Sequence, residues 1–73
     1  MKYERIRSLR EDHDRTQQEV ADFLNLTRSS YSNYENNIRE IPIDVLSRIA
    51  DLYDTSVDYL IGRTDEIRPY PPK

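Results

Sequence analysis

The sequence predicts a small all-α domain of five helices, and three observations lead there. Apolar residues recur with a 3.6-residue period in segments separated by polar breaks, and alternating β-branched runs are absent. A hydroxyl residue stands just ahead of three of those segments, at Thr16, Thr27 and Ser56, where it can accept a free helical N–H. Gly62 is the single glycine, and prolines sit only at positions 42, 69, 71 and 72, at the edges of these segments.

The first helix is expected from about Lys2 to Asp12, with Tyr3, Ile6 and Leu9 along one stripe. The polar cluster His13-Asp14-Arg15 ends it. The second runs from about Gln17 to Leu24, where Thr16 and Glu19 form a capping box. Its inward stripe is Val20, Ala21 and Leu24, with Phe23 flanking it, either to close the core or to support a neighbouring helix. Asn25 stands where the chain must reverse, and asparagine tolerates positive φ best after glycine. Leu26 returns to the core. Thr27 then caps a third helix, about Arg28 to Glu35, with Tyr31 and Tyr34 facing inward.

Asn36 to Ile41 reads as a polar loop. Pro42 opens the fourth helix, which reaches about Tyr53 and is the most apolar: Val45, Leu46, Ile49, Ala50, Leu52, Tyr53. Ser56 caps a short fifth helix bearing Val57, Tyr59, Leu60 and Ile61, and Gly62 stops it. Tyr31, Tyr34, Tyr53 and Tyr59 have core-compatible spacing. One domain is expected over residues 1–63, followed by an extended or disordered tail over 64–73, in which Tyr70 is a possible docking point.

The bulk numbers narrow the function. A chain of 73 residues supports one small core. It has no cysteine to staple it or to bind metal, no apolar run near the roughly 18 residues of a membrane span, and no signal-peptide core after Met1. A soluble, cytoplasmic chain is expected. The net charge of −3 argues against a general polyanion binder. The charge is polarised, however: Lys2, Arg5, Arg7 and Arg10 face only Glu4 in the first ten residues, whereas Glu40 to Glu66 is strongly acidic. One face could therefore meet phosphates while the acidic half turns away. His13 has no partner nucleophile, and nothing resembles a metal cluster or a phosphate-cradling glycine loop, so neither an enzyme nor a cofactor is expected.

The segment from Thr16 to Glu35 carries the functional reading. Two steeply crossing helices need a small residue at their contact, which Ala21 supplies, and a tight turn, which Asn25 supplies. Val20, Leu24, Leu26, Tyr31 and Tyr34 would fix the pair from inside. Arg28, Ser29, Ser32 and Asn33 then face outward. Arginine suits guanine, asparagine suits adenine, and serine can bond to a base or a phosphate. A merely solvated helix face would carry the same residue types.

These residues resemble the phage-repressor-like helix-turn-helix family, the lambda repressor/Cro-like or XRE-type regulators. The likeness covers about Lys2 to Gly62, including Thr16-Gln17-Gln18-Glu19-Val20-Ala21, Tyr31-Ser32-Asn33-Tyr34-Glu35-Asn36 and Val57-Asp58-Tyr59-Leu60-Ile61-Gly62. It implies a five-helix DNA-binding domain that dimerises on palindromic double-stranded operators, probing bases with Arg28, Ser29, Ser32 and Asn33. It further implies phosphate contacts from Gln17, Asn36, Asn37 and Arg39, and a pair between Arg10 and Glu35. Asn25 and Asn37 stand where the family commonly has glycine, and Tyr31 is bulkier than the usual aliphatic residue. A homodimer through Val57, Tyr59 and Ile61 is expected, with a repressor role. The alternative is an antitoxin-like or co-regulator module whose main partner is another protein, suggested by the acidic half and the Pro-Tyr-Pro-Pro tail.

Overall fold

Five helices follow one another in the computed structural model, which describes residues 3–69: α1 (Glu4–Asp12), α2 (Gln17–Phe23), α3 (Arg28–Glu35), α4 (Ile43–Leu52) and α5 (Val57–Leu60). No strand occurs among the described residues. Lys2, where the first helix was expected to begin, and Tyr70 lie outside them.

The helix starts follow local hydroxyl chemistry. Thr16 Oγ1 accepts the Glu19 N–H at 3.0 Å while Glu19 Oε1 accepts the Thr16 N–H at 2.9 Å, which closes the expected capping box. Thr27 Oγ1 accepts from the Ser30 N–H at 3.1 Å, and Ser56 Oγ from the Tyr59 N–H at 3.0 Å. Pro42, with φ −59°, is preset for the start of α4.

The helix ends share one device. Asp14, Asn25, Asn37, Asp54 and Gly62 each sit two residues past the last residue of a helix, and each has positive φ, between 53° and 83°. In every case the next N–H reaches back five residues to a helical carbonyl: Arg15 to Arg10 (3.0 Å), Leu26 to Ala21 (2.9 Å), Ile38 to Asn33 (2.9 Å), Thr55 to Ala50 (2.9 Å) and Arg63 to Asp58 (2.8 Å). This is the Schellman stop, which satisfies carbonyls that no longer have a helical partner. Four of the five left-handed positions are asparagine or aspartate, the residues that bear this conformation best after glycine.

The core gathers from every element. Tyr3, Ile6 and Leu9 meet Val20, Ala21, Leu24 and Tyr31, then Val45, Leu46, Ile49, Ala50, Tyr53 and Leu60. Ala21 is fully buried where α2 packs on α3, so a larger side chain there would force the two helices apart. Three expectations change. Leu26, Tyr34, Leu52 and Tyr59, expected inside, only pack against the core from partly buried positions, because neighbouring elements cover just one side of each. Ile41 belongs to the core rather than to a polar loop. Phe23 is exposed, and its carbonyl and that of Leu24 accept from the Arg48 guanidinium at 2.9 and 3.0 Å, joining α4 to the end of α2.

The left-handed stops give a stability test at a position remote from α3. Asp54→Ala should cost about 1 kcal/mol in urea denaturation, whereas Asp54→Gly should match or exceed the parent. Equal losses in both variants would mean that φ at this position is not what matters.

Candidate nucleic-acid interface

α3 presents its polar residues on one stripe because Arg28 and Ser32, like Ser29 and Asn33, are four residues apart. Arg28 and Ser29 are exposed, and Ser32 and Asn33 are half-buried at the flank. The opposite face is pinned by Tyr31, which is fully buried, and by Glu35. Ser32 Oγ accepts from Asn36 Nδ2 at 3.1 Å, which ties the α3 stripe to the loop that follows.

The far end of α3 rests on one carboxylate. Glu35 has a side chain with no exposed surface, and two other helices supply its hydrogen-bond partners. Arg10, from α1, donates Nη2 to Oε1 at 2.8 Å and Nε to Oε2 at 2.9 Å, a two-point fork. Arg7, one turn earlier, adds Nε at 3.3 Å, and Gln17, at the start of α2, adds Nε2 at 3.3 Å. Burial alone would push the Glu35 carboxyl up, but the Arg10 bonds, helped by Gln17 and the nearby Tyr31 hydroxyl, bring it down to about 2. Arg10 is correspondingly raised. The Tyr31 hydroxyl lies near enough to Glu35 to favour its charged form, without the geometry of a hydrogen bond. Burial raises the Tyr31 phenol well above its ordinary value, so it stays protonated.

Past α3 the chain turns through Asn36 and Asn37 beside α1. Asn36 Oδ1 accepts from Arg7 Nη2 at 2.7 Å, and Asn37 Oδ1 accepts from the Tyr3 N–H at 3.0 Å. Both carboxamide oxygens are thus turned toward the protein. Arg39 is exposed near the loop apex. The loop residues therefore stand beside α3, while the Gln17 side chain, half-exposed, donates to Glu35. Val57, Tyr59 and Ile61 are all partly buried against the core. The Tyr59 ring is further covered by the Arg5 guanidinium, 4.2 Å from its centroid, which also donates to the Tyr59 carbonyl at 2.8 Å. Arg5 reaches the carbonyl of Thr64 and the carboxylate of Asp65 as well, which ties residues 64 and 65 to α1.

Sequence reading singled out neither Arg7 nor Tyr3 for this region. The signal for Arg7 was its position three residues before Arg10, which places both guanidinia on the same side of α1. Tyr3 gives no local signal, because its partners lie 34 to 38 residues away.

Two short helices joined through the left-handed Asn25 turn, the second with a buried inner face and a polar outer one, define a helix-turn-helix. A family model described as helix-turn-helix matches residues 6–60, and the chain belongs to that family. It is 41% identical over 66 residues to the uncharacterized HTH-type transcriptional regulator YobD of Bacillus subtilis, covering 90% of this chain and 59% of that protein. It is 35% identical over 65 residues to the cryptic phage CTXphi transcriptional repressor RstR of Vibrio cholerae, covering 86% and 58%. It is 31% identical over 64 residues to the antitoxin PezA of Streptococcus pneumoniae, covering 88% and 40%. The chain thus spans about three-fifths or less of the length of each of these three relatives. No solved structure matches it. No helix among the described residues is long and apolar enough to cross a membrane.

The Glu35 site predicts an acid response whose sign follows from its pKa. The folded value, about 2, lies below the ordinary 4.5, so its contribution is complete above pH 4.5 and is lost as pH falls toward 2. Glu35→Gln should cost about 3 kcal/mol at pH 7, because Arg10 keeps its charge without its carboxylate. Urea titrations at pH 7 and at pH 2.5 should show the gap to the parent narrowing in acid. A gap independent of pH would rule out the carboxylate as the source.

Proposed function

We propose that this chain is the DNA-binding domain of a transcriptional regulator, which sets α3 into the major groove of double-stranded DNA. The observation that carries the reading is the α3 stripe: Arg28 and Ser29 open to solvent, Ser32 and Asn33 beside them, on a helix immobilised at its far end through Glu35. Base discrimination falls to those four side chains, with Arg28 the strongest discriminator because a guanidinium can bridge two acceptors of guanine. Asn36, Asn37 and Arg39 approach the sugar-phosphate backbone, and so does Gln17 at the start of α2.

Two copies would read half-sites about 34 Å apart on a palindrome. The α5 region around Val57, Tyr59 and Ile61 is the surface we assign to the homodimer, with residues 64–73 as its trailing segment. Repression is the favoured sign of regulation, since a helix seated on an operator excludes other proteins, and one relative is named a transcriptional repressor. The net charge of −3 implies weak non-specific binding, so contacts with bases must supply most of the discrimination. A second reading, an antitoxin-like or co-regulator module whose main partner is another protein, is favoured by the relative named as an antitoxin.

Selection from random duplexes at two salt concentrations should enrich a palindrome. No enrichment together with a flat salt response would refute the DNA reading. On the enriched site, Arg28→Ala should cost about 1–3 kcal/mol and relax the choice at one base pair. A loss of equal size on every sequence would reassign Arg28 to a phosphate.

A further inference from the structure

Tyr3 precedes α1 and is only 2% exposed, yet its N–H and its hydroxyl both engage the loop that follows α3. Its N–H donates to Asn37 Oδ1 at 3.0 Å. Its hydroxyl donates to Glu40 Oε2 at 2.7 Å and accepts from the Ile41 N–H at 3.4 Å. One residue therefore holds both flanks of Arg39. From the other side, the Asn33 carbonyl accepts the Ile38 and Arg39 N–H groups at 2.9 and 3.3 Å. Arg39 projects from a segment tied at 37, 38, 39, 40 and 41.

Two physical consequences follow. A guanidinium on a backbone already held in place loses less freedom when it meets an anion than one on a loose loop. The Tyr3 hydroxyl also engages the carboxylate of Glu40, next in sequence to Arg39, and draws that negative charge toward α1. Burial and the bond to Glu40 both favour the neutral phenol, so the hydroxyl remains a donor throughout the neutral range.

We propose that Tyr3 is a positioning residue for the nucleic-acid backbone: by holding the 37–41 segment it places Arg39 against a phosphate. This rests on the DNA reading given above and adds to it a residue that touches no nucleotide.

The test uses the parent chain, Tyr3→Phe, Arg39→Ala and the double variant on the duplex enriched by the parent, each titrated with salt and melted in parallel. Tyr3→Phe keeps the buried ring and removes only the hydroxyl. It should melt within a few degrees of the parent and keep the same base preference. Its affinity should be about three- to ten-fold weaker, the scale of a lost hydrogen bond. The slope of log affinity against log salt should be shallower by about one, as for a lost phosphate contact. The double variant should bind no more weakly than Arg39→Ala alone, since Tyr3 acts through Arg39. Parent-like affinity and slope for Tyr3→Phe, or additive losses in the double variant, would overturn the inference and leave the DNA reading intact. A parent chain with no salt-dependent binding would instead overturn the DNA reading.

Discussion

The buried carboxylate of Glu35 is the constraint on which the rest of the arrangement hangs. It sits at the last residue of α3 and takes hydrogen bonds from Arg7 and Arg10 of α1 and from Gln17 of α2. A carboxylate without solvent exposure is costly unless its lone pairs are filled, and here each oxygen has a donor. The pair contributes little net stability compared with an apolar contact of the same size. Its value is directional: the fork of Arg10 fits only one placement of the helix end, and that placement sets the pitch of the Arg28–Asn33 stripe.

The second constraint is the repeated left-handed stop. In a domain this small, each helix must end abruptly so that the next can pack back on the same core. The five stops do this with the same pair of backbone bonds, and four of them use asparagine or aspartate rather than glycine. Each such residue carries some strain, which the satisfied carbonyls offset. The stops after α2 and α3 have a further effect. They fix the crossing of the two helices and hold the Asn36–Asn37 turn beside α1, where Tyr3 and Arg7 engage it.

Charge is distributed to match. The cations of α1 are largely consumed inside the fold: Arg10 and Arg7 by Glu35, and Arg5 by Tyr59, Thr64 and Asp65. What looks in the sequence like a basic arm is therefore mostly internal wiring. Arg28 and Arg39 are the exposed cations of α3 and of the loop after it. Whatever this face meets, it meets with a few placed groups rather than with a broad positive field.

Local chemistry was legible in the sequence wherever cause and effect lie within a few residues. The caps at Thr16, Thr27 and Ser56, the Asn25 turn, the bounds of α3 and the family membership all follow from short-range patterns. Tertiary structure decided what depends on distant partners. It buried Ile41, left Phe23 exposed and Tyr34 and Tyr59 only partly covered, and brought Arg7 onto both Glu35 and Asn36. It also set the Gln17 side chain against Glu35. Periodicity says which face of a helix is apolar, but not how far a neighbouring element covers its edge. A contact spanning 25 to 38 residues, such as Arg10 with Glu35 or Tyr3 with Ile41, is created only when the whole core closes.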